Sequence, residues 1–494
     1  MYENLPAHSN LQFRVLSDEK IQRIYQATLE CLQRTGVNAL NEEARALFAA
    51  AGAQVDGMRV RIPADIIRNA LATAPHGFDL WSRDGQHCMQ VVPGQVHFGP
   101  GLTSTYFSDP ITGERRRSQR QDVGTSARVI DVLENIDYLM GLALPDDVSP
   151  ERASVFEFAE MITNSSKPLM AWGQSLDNIQ DIFRIAAAAV GGEAKLRHKP
   201  IFGLFAVGLG PLVIPDAIMA NVFWAVEHDV PIVYHGPGVA GVSAPVTGAG
   251  TLVVELAGCL AGLAAIQLKK PGAPVCIGSV PTPMDPRTGR PAYGAPELCL
   301  YSAALSEMAT FLNLPLMGTS GASEAKTVDL QAAIESTAQV IFSLLSTTTI
   351  PHDAGFLDCA DIGSLEMLVM NDEIISMARR MTRGIEVNDE TLMLDLIDAV
   401  GPGGEFISRP ETAKSFRKEI WLPRLMDRQP WSQWTSAGSI SMAMRIKSRI
   451  AEILKTHTPY PLPDGAAEAI TAILEQRPSP DPIHPEEILH GNTK

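Results

Sequence analysis

No Cys-x-x-Cys pair occurs in the 494 residues, and the six cysteines (Cys31, Cys88, Cys259, Cys276, Cys299, Cys359) lie far apart. That spacing argues against a structural zinc site and leaves the thiols as small buried residues. No Gly-x-x-x-x-Gly-Lys-Ser/Thr is present. Gly236-Pro-Gly-Val-Ala-Gly241 has the letters of a dinucleotide fingerprint only loosely, because Pro237 interrupts it and it comes late among the repeats. Positive charge is in short supply: 40 Lys and Arg stand against 56 Asp and Glu, for a net charge of −16. With no dominant basic patch, nucleic acid is not an expected partner. The opening Met1-Tyr-Glu-Asn-Leu-Pro6 holds no apolar leader core. The longest apolar stretch, 252–268, contains Glu255 and Gln267 and is short for a membrane span. A cytoplasmic protein without membrane contact is expected. No His-x-x-x-His or His-x-Glu spacing surrounds His97, His235 or His352, so strand-end histidines read as hydrogen-bonding residues and no bound metal is expected.

What the chain does have is one pattern, repeated in kind at least five times. Four to six apolar residues follow a proline or a charge, and then the chain opens into glycine and small polar residues. The runs are Lys167-Pro-Leu-Met-Ala-Trp-Gly-Gln-Ser175, Lys199-Pro-Ile-Phe-Gly-Leu-Phe-Ala-Val207, Val230-Pro-Ile-Val-Tyr-His-Gly-Pro-Gly238, Ala273-Pro-Val-Cys-Ile-Gly-Ser-Val-Pro281 and Leu314-Pro-Leu-Met-Gly-Thr-Ser-Gly321. Continuous rather than alternating hydrophobicity predicts short strands buried on both faces. Helical segments separate them (155–164, 178–190, 216–228, 252–268, 297–312, 329–346), and such alternation implies parallel strands joined by crossovers. The expected fold is α/β, a TIM (β/α)8 barrel. An α+β lead-in is expected over 1–115, the barrel over 116–410, a helical extension over 411–476 and a disordered tail over 477–494. The eighth unit is the weakest. A threonine-rich strand at 346–350 ends at Pro351, a helix is expected over 391–400, and a short strand is sought at 406–408. The basic charge of the Trp-rich C-terminal part reads as a solvated face.

In a closed parallel barrel the chemistry sits at the loop-facing strand ends. Trp172, Tyr234 and Phe356 fall at or just past such ends, and Tyr106 near the end of the lead-in hairpin, although aromatic residues make up only 6% of the chain. Each alone is more simply explained as core packing. Together they suggest a mouth of ring faces, suited to a cation that cannot donate strong hydrogen bonds. Ser320 and Ser323 lie in no nucleophile elbow. Lys326 is a candidate for a Schiff base, which would make the protein a barrel lyase or aldolase. A non-catalytic quaternary-amine binder is the third reading, and the absence of an export leader counts against it.

A set of motifs resembles the trimethylamine:corrinoid methyltransferase family over most of the length. They are Leu16-Ser-Asp-Glu-Lys-Ile-Gln-Arg-Ile24, Val96-His-Phe-Gly-Pro100, Lys167-Pro-Leu-Met170, Gly318-Thr-Ser-Gly-Ala-Ser-Glu-Ala-Lys-Thr-Val-Asp329, His352-Asp-Ala-Gly355 and Phe406-Ile-Ser-Arg-Pro-Glu-Thr412, followed by Asp427-Arg428 and Trp431 with Trp434. The trimethylamine enzymes of that family carry pyrrolysine, and this sequence has only the twenty standard residues. The chain therefore resembles the members without pyrrolysine, which demethylate quaternary amines such as glycine betaine. The resemblance implies methyl transfer to the Co(I) of a corrinoid carried by a separate cognate protein. It also implies a neutral tertiary amine as product. A homo-oligomer is expected. For glycine betaine, Gln174, His235 and His352 are the carboxylate donors expected from their places in the barrel. Asp353 or Glu324 would balance the ammonium charge or orient a histidine.

Overall fold

The computed structural model describes residues 13–101, 104–236 and 238–476, so the predicted disordered tail lies outside the described residues. Five parallel strands run in consecutive order: Leu169–Ala171, Phe202–Val207, Ile232–His235, Val275–Gly278 and Leu316–Met317. They are the five runs read from the sequence. Three extended segments complete the ring. Residues 349–354 join the last strand through Ile350 N–H to Leu316 O and His352 N–H to Gly318 O. Residues 96–101 join those through His97 N–H to Thr349 O and Gly99 N–H to Pro351 O. Residues 138–142 bond 96–101 through Leu142 N–H to Gly101 O, and return to Leu169–Ala171 through Leu139 N–H to Pro168 O and Met170 N–H to Leu139 O. The result is an eight-membered closed barrel.

The ring differs from the sequence reading at both margins. Its first stave lies inside the stretch read as lead-in, and 349–354 is the eighth. Residues 389–400 form the helices Asp389–Leu392 and Leu394–Val400, and no strand forms at 406–408. The physical reason is the composition of the missed stave. Val96-His-Phe-Gly-Pro-Gly101 holds two glycines and a proline, so its extended signal stops after Phe98 and reads as part of the hairpin region of the lead-in, not as a barrel stave.

Each crossover carries a helix on the outside. Ala153–Asn164, Leu176–Val190, Asp216–Glu227, Gly248–Lys269, Pro296–Phe311, Leu330–Leu345 and Leu365–Thr382 follow successive staves. Gly248–Lys269 is long and apolar enough to cross a membrane, but most of it is buried within the protein. In the lead-in, Asp18–Arg34 is capped by Ser17 and Glu42–Ala50 by Asn41, each side chain accepting a backbone N–H. The hairpin Phe78–Trp81 with Cys88–Val91 inserts into one end of the barrel. There Phe78, Leu80, Met89 and Val91 pack in one buried cluster with the inward side chains Tyr138, Met140, Met170, Val233, Cys276, Met317 and Ile350.

Candidate active site

Strand parity sets the opposite end. Side chains alternate faces, so the residues two places beyond the inward apolar layer form the next layer up. Counting on from Met170, Val233, Cys276, Met317 and Ile350 gives Trp172, His235, Gly278, Thr319 and His352. Here the lining turns polar. The His235 and His352 rings meet edge to face with centroids 5.6 Å apart. Phe205 lies 5.0 Å from the first and 6.0 Å from the second. A Cβ on Gly278 would come within 2.1 Å of the His235 ring, so glycine provides the imidazole's berth.

The next residue supplies charge. Asp353 is buried, has a left-handed φ of 83°, and accepts a 2.6 Å hydrogen bond from the Thr319 hydroxyl. Its other carboxylate oxygen lies 3.4 Å from His352 Nε2. His352 Nδ1–H donates to the Gly318 carbonyl, which fixes the ring. Among the described residues no lysine or arginine is paired with Asp353. Tyr138 and Tyr293 are both held well above the usual phenol range, by burial first and by the Asp353 charge next. His235 is held well below the usual imidazole range by burial and by neighbouring His352, so its ring is neutral. Its Nε2 is buried without a partner among the described residues.

Two buried glutamates stand behind this layer. Glu157, from Ala153–Asn164, accepts the Trp172 indole N–H at 2.7 Å and fills the space left by Gly141. Burial raises it to about 8, against the opposing pull of the indole. Glu255, from Gly248–Lys269, accepts the Ser279 hydroxyl, and burial raises it to about 8 as well. Among the described residues no three or more His, Cys, Asp and Glu side chains gather closely enough to hold a metal ion.

The expected site residues separate into two groups. His235, His352 and Asp353 come together, and Trp172 stands in the same layer. Gln174 is exposed just past Trp172, and its backbone N–H donates to the Asn178 side chain. Tyr234 is a correction. It points away from the barrel axis into the outer core, where its ring lies against Gly262. Phe356 also belongs to the outer core and packs against Gly101. Glu324 braces a loop instead, accepting the Tyr293 N–H at 2.6 Å. The face of Tyr106 is covered, since the Arg115 guanidinium lies 3.2 Å from its ring centroid. Lys326 is exposed, with its ammonium between the Glu324 carbonyl and Asp358, so it lacks the desolvation a Schiff-base lysine needs. His97 is bonded to Gln90 of the inserted hairpin, at the closed end.

Phe205, Thr319, Tyr138, Tyr293, Glu157 and Glu255 were not expected at the site. A signal existed for Thr319, a polar residue just past an apolar run, and for Phe205, two residues before the end of another. Because that run is apolar on both faces, its inward parity could not be read.

A closed parallel barrel with a polar mouth above an apolar floor defines a TIM-barrel enzyme. The family described as Trimethylamine methyltransferase (MTTB) matches residues 3–480. The chain belongs to that family and is a methyltransferase. It is 30% identical over 466 residues to trimethylamine methyltransferase MttB of Desulfitobacterium hafniense (strain DSM 10664 / DCB-2), covering 93% of each chain. It is 32% identical over 466 residues to MttB of Methanosarcina thermophila, covering 92% of this chain and 96% of that one. It is 27% identical over 468 residues to a glycine betaine methyltransferase of Desulfitobacterium hafniense (strain Y51), covering 94% and 97%. Among solved structures, the hydroxylamine complex of MtmB matches with a TM-score of 0.53 at 12% identity, over 91% of this chain and 90% of that chain, a likeness of fold.

Proposed function

We propose that this chain transfers a methyl group from a quaternary amine, glycine betaine foremost, to a corrinoid held on a separate carrier protein in the cytoplasm. The product is a tertiary amine such as dimethylglycine. The observation that carries the reading is the buried Asp353 carboxylate, which has no lysine or arginine partner among the described residues and lies beside the His352 and Phe205 rings. A buried carboxylate without a counter-ion is costly, and a permanently cationic ligand supplies the missing charge. The Phe205 ring adds about 0.5–2 kcal/mol per good cation–π contact. The relative named glycine betaine methyltransferase adds support.

The residues suit a corrinoid presented from outside, because the opposite end of the barrel is filled by the inserted hairpin. The docked corrinoid supplies the reduced cobalt that accepts the methyl group. The chain's own part is placement. Asp353 and the rings hold the ammonium with one methyl facing the opening, while the apolar floor excludes water. His235, as a neutral imidazole, offers an N–H to the substrate carboxylate, and Gln174 stands at the rim for the same task. No acid is required, since the departing nitrogen keeps the electron pair of the broken C–N bond. That nitrogen becomes neutral and loses its attraction to Asp353, which favours release.

The test is spectroscopic. The purified protein is mixed with reduced cobalamin and a panel containing glycine betaine, proline betaine, carnitine and trimethylamine. Methylcobalamin formation is expected with the quaternary amines, glycine betaine fastest. Methylation from trimethylamine alone would overturn the reading.

A further inference from the structure

The Trp172 ring is held from behind, by a side chain that the fold keeps buried at a cost. Trp172 lies just past Leu169–Ala171, is half-buried, and packs in neither of the two apolar clusters formed by the described residues. Core packing therefore does not set its orientation. Its indole N–H donates at 2.7 Å to Glu157, which stands on Ala153–Asn164 and is 1% exposed. A half-buried indole at an open mouth can give its N–H to water, so satisfying that donor does not call for a carboxyl.

Taking a carboxyl out of water with no cation beside it carries a penalty that an apolar side chain of equal volume avoids. Among the described residues no lysine or arginine charge acts on Glu157. The barrel also leaves out a side chain to make room, since a Cβ on Gly141 would fall inside the Glu157 carboxyl. Burial raises the group to about 8, so at neutral pH it accepts the indole N–H without adding charge to the mouth.

The backbone beside the ring is fixed from the other direction. Asn221 Nδ2–H donates to the Gly173 carbonyl at 2.9 Å. The Gln174 N–H donates to Asn178 at 3.2 Å, and the Ser175 side chain accepts the Asn178 N–H as the cap of Leu176–Val190. A Cβ on Gly173 would come within 2.6 Å of Ile179. Trp172 is gripped twice, its main chain by the helices after it and its ring edge by the helix before it. A wall fixed before the ligand arrives removes the ordering cost of binding.

We propose that Glu157 is a positioning residue: it turns the N–H edge of Trp172 toward the outer helix and holds the ring as a standing wall of the amine site. The inference rests on the reading of the mouth as a quaternary-amine site. Because the wall acts on the bound amine before methyl transfer, its loss falls on KM and not on kcat.

The test begins without any amine. The full chain is labelled with 5-fluorotryptophan, and the Trp172 line among the six in the fluorine spectrum is assigned by its loss in Trp172→Phe. Glu157→Leu and Glu157→Met both remove the acceptor, and in whichever of them folds that line should shift and broaden. Glu157→Gln, whose amide oxygen accepts the same N–H, should leave it near its wild-type place. With reduced cobalamin and glycine betaine, the apolar variants should raise KM about threefold to tenfold, the size of one cation–π contact, with kcat within about twofold. Glu157→Gln should keep KM near wild type. In the Trp172→Phe background Glu157→Leu should add no further rise, because the two residues act as one unit. An unmoved line in the apolar variants, a rise as large in Glu157→Gln, or additive losses in the double variant would each overturn the proposal. A moved line with methylcobalamin formed from no quaternary amine, in wild type as in variants, would sink the amine reading and leave Glu157 as the holder of the ring.

Discussion

The two ends of the barrel are built from the same staves and do opposite work. At one end the inward side chains are Met170, Val233, Cys276, Met317 and Ile350, closed over by Phe78, Leu80, Met89 and Val91. Two residues further along the same strands stand Trp172, His235, Gly278, Thr319 and His352. A rise of under 7 Å, at about 3.3 Å per residue, separates a dry floor from a layer of imidazole, hydroxyl and indole. The floor makes the ring rigid, and the mouth uses that rigidity to hold polar groups that would otherwise relax. Stability and chemistry are thus stacked along one axis and not mixed.

The largest expected effect falls at the mouth. Asp353→Ala should lower kcat/KM about a thousandfold, since removing one member of a buried charged pairing costs about 3–5 kcal/mol. The melting temperature should move far less. Asp353→Asn keeps the shape and should lose nearly as much, whereas wild-type activity in Asp353→Asn would mean the carboxylate charge is idle. Next comes the floor. Met317→Ala should destabilise the protein by about 2–5 kcal/mol, seen in thermal or urea unfolding, and leave KM near the wild-type value. A KM change as large as that of Asp353→Ala would show that the layers are not separable. Gly278→Ala should cost about 1–3 kcal/mol of strain as its methyl displaces the His235 ring, with activity falling more than stability. Its crystal structure should show the imidazole rotated.

Smaller effects sharpen the rim. Trp172→Ala should weaken quaternary-amine binding by about 0.5–2 kcal/mol in calorimetry, and Trp172→Phe by less, if the ring face is what matters. The last prediction concerns pH. Glu157 is raised to about 8 when folded, from an ordinary 4.5. The folded state therefore binds the proton more tightly than the unfolded state. Its stabilising effect is complete below about pH 4.5 and declines as pH rises, until it is gone above about 8. Glu157→Gln should flatten that share of the alkaline loss and melt a few degrees above the wild type at pH 9. An identical pH profile in both proteins would mean that Glu157 is ionised throughout.

The sequence shows most of the ring and less of the mouth. Proline-led apolar runs mark five staves, because a strand buried on both faces must be apolar throughout. That same property conceals which side chains point inward. Tyr234 and Phe205 sit in equally apolar surroundings, and only the pairing register shows the first outside and the second inside. The stave at 96–101 is hidden for another reason: Gly99 and Gly101 make room for the Tyr138 and Phe356 rings, and with Pro100 they cut the strand signal short. His235, His352 and Asp353 were readable because polar residues directly after an apolar run are conspicuous. Glu157 and Glu255 were not, since each lies on a helix and reaches the strand ends only through the packing of the crossover.

The hairpin that fills the floor has a further consequence for traffic. With one end stoppered, the other end is the doorway that the described residues leave for traffic in and out. Under the proposed function, a fuel molecule and the carrier that collects its methyl group would share one threshold, so the visits would be ordered: the small guest first, the large one as a temporary cork, and the spent guest out only after the cork is drawn.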